Sequence, residues 1–166
     1  MNNFNKAFKI TIEHEGGYAN DKIDRGGETR YGISKKSYPH IDIKNLSLEK
    51  ARNIYYKNYW NTKRANLELL PELIAIEVFD TAVNMGSTRA YRMLQKALNL
   101  LNREETHFDD LVVDGFIGKL TIRAIDKVSG GELLKVLNGL QFSRYLKIVK
   151  NNPSQKKFFA GWIKRT

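Results

Sequence analysis

With 166 residues, 42% of them hydrophobic and none of them cysteine, the chain has apolar mass for one core or two small lobes, held without disulfides, a thiolate nucleophile or a zinc–thiolate site. Its formal net charge of +10 attracts polyanions at long range, and nucleic acid, an anionic membrane surface and the carboxylate and phosphate polymers of a bacterial envelope all fit that sign. The three scattered histidines, His14, His40 and His107, lack ligand spacing such as HExxH, which argues against a metal site.

The segment MNNFNKAFKITIEHE places lysines and polar residues where a secretory signal would need an unbroken apolar stretch. No apolar run reaches the ~20 residues of a membrane span. The expectation is cytoplasmic synthesis without stable membrane insertion. Phe4, Ala7, Phe8 and Ile12 form the apolar stripe of a helix running to about Glu15, where Gly16-Gly17 stops it. Residues 18–32 are dense in Asn, Asp and Gly and read as tight turns or a small irregular hairpin. A short helix is expected from Ser34 to before Pro39. A firmer one follows Ser47 as N-cap, with Leu48, Ala51, Ile54, Tyr55 and Tyr59 toward the core.

Pro71, placed at a first helical position, opens PELIAIEVFDTAVNMG, a segment apolar nearly all round and hence a central buried helix, ended by Gly86. Glu77, Asp80 and Asn84 give it one polar stripe, to be read as a buried network or as the floor of a substrate cleft. Ser87 or Thr88 is expected to cap the next helix, whose core face is Ala90, Met93, Leu94, Ala97, Leu98 and Leu101. After a polar loop from Asn102 to Asp110, the segments LVVDGFIGKLTIRAIDKV, GGELLKVLNGLQFSRYLKIV and a carboxy-terminal stretch with Phe158, Phe159, Trp162 and Ile163 all read as helical. The fold expected is mainly α, of α+β lysozyme-like type: a helical bundle around a central buried helix with a small hairpin near 18–32. Residues 1–92 would form one lobe and 93–166 a second, packed as one compact unit.

The segment from Glu15 to Ile33, EGGYANDKIDRGGETRYGI, fixes many positions over a short span. It resembles the EGGY…ND…D.GG.T..GI signature of glycoside hydrolase family 108, the lysozyme-like muramidases. Lys22 departs from the pattern, standing where relatives usually have Pro. The segment also resembles the phage-type lysozyme arrangement, in which a helix-terminal Glu precedes a hairpin bearing Asp and Thr; Asp24 falls at the expected step from Glu15, and Thr29 one residue early. FDTAVNMG, AYRMLQKALN and VDGFIGKLTIRAI resemble the end of the same catalytic unit joined to a helical peptidoglycan-binding module.

The resemblance implies Glu15, Asp24 and Thr29 as catalytic residues and Tyr18, Asn20, Asp21, Tyr31, Asp80 and Asn84 as candidates for substrate contact, with no metal and no cofactor. Elementary chemistry agrees: the last turn of a helix raises a carboxyl's pKa through the macrodipole, a dry cleft raises it further, and glycosidic cleavage requires a protonated general acid. Gly16 and Gly17 leave room for a sugar chain beside it. Asp24, ionised in a polar hairpin, would stabilise oxocarbenium charge or orient water, and Thr29 would hold that water. Plainer readings exist for each: Glu15 as a surface residue before a C-cap, Asp21 and Asp24 as turn formers, Thr29 as a hairpin bridge, Tyr18 and Tyr31 as packing.

The implied reaction is hydrolysis of the β-1,4 bond between N-acetylmuramic acid and N-acetylglucosamine in phage or prophage host lysis. The implied partners are peptidoglycan glycan strands, anionic wall polymers and a holin or export machinery, for a monomeric enzyme. Competing readings are a lytic transglycosylase giving 1,6-anhydro ends and a non-catalytic wall-binding protein. Nucleic acid is disfavoured, because the basic residues form neither a run nor a recognition element.

Overall fold

The computed structural model describes residues 2–15 and 27–166, with the side chains of all of these save 13–15. In chain order it comprises α1 (Asn3–Glu15), a two-stranded antiparallel hairpin of β1 (Thr29–Arg30) and β2 (Ile33–Ser34), α2 (Leu48–Tyr55), α3 (Glu72–Met85), α4 (Ser87–Leu101), α5 (Lys119–Ile125), α6 (Gly130–Asn151) and α7 (Lys156–Ile163). The fold is mainly helical and lysozyme-like. α3 is its centre, packed against α1, α4 and α6. Phe4 and Phe8 of α1 enter an aromatic cluster with Tyr55, Trp60 and Phe79, in which Phe4 and Phe79 meet edge to face with centroids 5.8 Å apart. Among the described residues no helix is long and apolar enough to cross a membrane.

Helix α2 begins as expected, with the Ser47 side chain accepting from the Lys50 amide. Leu48, expected in the core, is 47% exposed instead. By spacing it shares the face of Ala51 and Tyr55, but it is the first residue of the helix, outside the buried part of that face. The helix then runs into a π turn, Tyr56–Trp60, that the sequence did not signal. A regular helix would carry Tyr59 into the core four residues after Tyr55. The wider turn shifts the phase by one residue and buries Trp60 completely, its Nε1 donating to Glu68 at 3.0 Å, while Tyr59 stays part-exposed.

The expected helix from Ser34 is absent. Ile33 and Ser34 pair with Arg30 and Thr29, and the backbone then turns, with the Ser37 amide donating to the Ser34 hydroxyl at 3.2 Å. The hairpin's second strand therefore lies beyond residue 32. Pro71 caps α3 rather than occupying its first turn. Gly86, at φ +89°, ends α3 and is also the N-cap of α4, a corner that residues with a Cβ adopt at a cost. Ser87 and Thr88 accordingly do not cap α4; the Ser87 hydroxyl donates to the Asn58 carbonyl at 3.0 Å.

The expected core face of α4 is found, with Ala90, Leu94, Ala97 and Leu98 buried and Met93 and Leu101 packed at the margin. Residues 111–118 are not helical; only Lys119–Ile125 is. Their backbone groups bond instead to amide side chains of α4 and its cap. Asn99 exchanges two bonds with Leu111, at 2.8 and 2.9 Å, and Gln95 accepts from the Gly115 amide at 2.7 Å while donating to Asp114 at 2.8 Å. Asn102 accepts from His107 and Phe108 and donates to Asp110. Bonds from Gln95 and the Phe116 amide hold the Asp114 carboxyl below its ordinary pKa.

Candidate active-site cleft

The hairpin turns through Tyr31 and Gly32, both in the left-handed region at φ 52° and 72°, as a two-residue type I′ connection requires. Gly32 adopts this freely. For an aromatic residue it is strained, and strain of this kind gathers at functional sites. Two contacts hold Tyr31 there: the Tyr55 hydroxyl donates to its carbonyl at 3.0 Å, and the Arg30 guanidinium lies 5.3 Å from its ring centre. In this way α2 fixes the hairpin.

Between this hairpin and the end of α3 lies a cleft of about 210 Å³, lined by Gly32, Ile33, Ser37, Tyr38, Tyr55, Tyr59, Val83 and Asn84. Three tyrosines, a serine and a carboxamide give it a mostly polar lining of hydroxyls and an amide, groups that the hydroxyls of a sugar ring can engage. The Tyr38 hydroxyl accepts from Asn58 at 2.8 Å, which sets the ring.

Thr29 lies in β1, its hydroxyl donating to the Gly27 carbonyl at 3.2 Å and keeping its lone pairs as acceptors. The polar stripe of α3 divides. Asn84 lines the cleft, anchored by Nδ2 donation to the Asp80 carbonyl and carboxylate at 2.9 and 3.0 Å. Asp80 itself is buried and engages Arg165 at 3.0 Å. Glu77 accepts from Gln141 of α6, which also donates to Thr81 at 2.5 Å. Burial first, and the nearby Asp80 charge second, push the Glu77 carboxyl up to about 7. Burial likewise raises Tyr145, to about 12. Glu15 is the last residue of α1; its side chain, and Tyr18, Asn20, Asp21 and Asp24, lie outside the described residues.

Sequence reasoning did not single out Ser37, Tyr38, Tyr55 and Tyr59 as cleft residues. Tyr55 and Tyr59 read as core by helical spacing, and their hydroxyls were the one available signal of a polar boundary. Arg165 was missed because nothing local relates it to Asp80.

A lysozyme-like helical fold with a short hairpin set across an aromatic, amide-edged cleft from its central helix defines a carbohydrate-cleaving class of enzyme. Residues 8–86 match the family described as Glycosyl hydrolase 108, and residues 89–166 match the one described as Predicted Peptidoglycan domain. The first part of the chain is thus similar to the one family and the second part to the other, and together the two matches support a glycoside hydrolase that acts on peptidoglycan. Among solved structures it is similar to "Structure of Brucella abortus SagA", with 28% identity and a TM-score of 0.74 over 98% of this chain and 88% of that one. No curated protein matches it.

Proposed function

We propose that the enzyme is a muramidase of lysozyme type, hydrolysing the β-1,4 bond between N-acetylmuramic acid and N-acetylglucosamine with Glu15 as general acid. The cleft between the β1–β2 hairpin and the end of α3 carries this reading. It lies within the glycosidase region beside the hairpin, and its tyrosine hydroxyls and Asn84 carboxamide suit sugar hydroxyls. In the proposed mechanism Glu15, at the carboxylate-raising end of α1, protonates the leaving oxygen. Asp24 stabilises the oxocarbenium charge or orients the attacking water, and Thr29 holds that water. Tyr18, Asn20, Asp21 and Tyr31 contact the glycan. Asn84 offers its Oδ1, which accepts no bond among the described residues, to a sugar amide or hydroxyl, and Asp80 orients it.

The test is mass spectrometry of digested peptidoglycan. Reducing muramic acid ends are expected from wild type, and a loss of about a hundredfold or more from Glu15→Gln. Anhydro ends would make the enzyme a lytic transglycosylase, and wild-type rates from Glu15→Gln would remove Glu15 from the chemistry. We place this reaction in phage or prophage lysis, reached through a separate pore or export route. Cytoplasmic expression should then lyse cells only when a pore-forming protein is co-expressed.

A further inference from the structure

Between the first half of α4 and the second half of α6 runs a groove of about 630 Å³, walled by Arg89, Arg92, Lys96, Arg144 and Lys147, with no acidic and no aromatic side chain in its lining. Helical geometry gathers these cations. Arg89, Arg92 and Lys96 stand three and four residues apart on one face of α4, and Arg144 and Lys147 stand three apart on α6. Like charges so spaced repel, and none of the five forms an ion pair among the described residues. Arg89 donates to the Met85 carbonyl at 2.7 Å. The Nε of Arg144 is buried and has no hydrogen-bond partner among the described residues, an orphaned donor on a group built to meet an anion with two parallel bonds. Met93 and Leu140 add apolar surface to the lining.

We propose that this groove binds the peptide stems of peptidoglycan through their free carboxylates. Stem peptides are short, with small apolar side chains and several carboxylates, and so match cationic walls with apolar patches. Nucleic acid fits less well, since the groove has no aromatic side chain to serve as a stacking platform for bases. Position supports the assignment. The groove and the Gly32–Asn84 cleft are lined by successive residues at the end of α3, Val83 and Asn84 for the cleft and Met85 and Gly86 for the groove. A glycan in the cleft thus has its stem within reach of the groove. The inference rests on the reading of the cleft as the glycan site.

The test is calorimetry of the full chain with soluble disaccharide–peptide fragments, with the same fragments after amidation of their carboxyls, and with a DNA duplex. Free fragments should bind, and amidated ones roughly tenfold or more weakly. Arg92→Gln and Lys147→Gln, both at exposed positions that fold does not depend on, should each weaken binding of the free fragments roughly tenfold. Arg144→Lys, which keeps the charge and removes the fork, should also weaken it. All three should cleave peptide-free glycan strands at the wild-type rate. Equal affinity for free and amidated fragments, or wild-type affinity in the variants, overturns the proposal. Tighter binding of DNA that is lost in the same variants reassigns the groove to nucleic acid. Failure of the wild type to cleave peptide-free strands counts instead against the glycan reading, while the fragment titrations still decide the groove.

Discussion

Two helices of the core, α3 and α4, each carry a polar stripe on an otherwise buried surface, and the two stripes are built from different chemistry. On α3 the stripe is ionisable: Glu77 and Asp80 reach α6 and Arg165 and so tie the central helix to the last elements of the chain. On α4 it is neutral: Gln95, Asn99 and Asn102 hold the non-helical segment before α5. Carboxamides carry donor and acceptor together, so one side chain can satisfy both backbone groups of a loop at any pH. A carboxylate only accepts, and burial makes its charge costly. It therefore needs a cation or takes up a proton. Above the range in which Asp114 takes up a proton, and so from pH 5 to 8, the α4 stripe should hold constant while the α3 stripe should not.

The largest effect is expected from Asn102→Ala. Asn102 is fully buried and serves His107, Phe108 and Asp110, so truncation strands several backbone groups and should cost about 3 kcal/mol. Denaturant melts at pH 5 and pH 8 should give the same loss. A loss that depends on pH would break the contrast.

Glu77→Gln sharpens it from the other side. With its pKa raised to about 7 from 4.5, folded Glu77 holds a proton that the unfolded chain has released over that window. The native state then binds more protons, so stability is full below pH 4.5, falls as pH rises through the window and levels off above 7, by about 3 kcal/mol in all. Glutamine cannot release that proton. Thermal melts from pH 4.5 to 8 should show wild type losing stability relative to Glu77→Gln, and parallel curves would mean that Glu77 stays ionised in the fold.

Arg165→Gln should cost about 2 kcal/mol at neutral pH. It removes a cation beside the Asp80 charge, in a site where both side chains are only 13% and 11% exposed. Denaturant melts of wild type and variant at pH 7 check this. Leu48→Gln serves as the control outside both stripes. At 47% exposure it should change stability by no more than about 0.5 kcal/mol, and a larger cost would show that Leu48 is buried in solution.

Much of the scaffold was legible because its signals are local. The stripes of α1 and α4, the Ser47 cap, the helix-ending Gly86 and the burial of α3 all follow from spacing and residue type within one or two turns. The glycosidase family was legible too, because EGGY and its continuation fix many side chains in one short segment. The polar amides of α4 were visible as letters. Their role was not, since an asparagine in a helix reads the same whether it meets water or a loop eight residues away.

By itself, then, the sequence determined a mainly helical, lysozyme-like peptidoglycan hydrolase with a central buried helix, since periodicity, capping and a dense motif are properties of neighbouring residues. Only the tertiary structure decided where the stripes of α3 and α4 find their partners, that a π turn buries Trp60, and that the hairpin faces the end of α3 across a tyrosine-lined cleft. It also decided that basic residues more than forty positions apart wall one groove. Each of these depends on which surfaces meet after the chain has closed on itself, and that choice is made by packing and charge compensation between distant residues rather than by the preferences of any one segment.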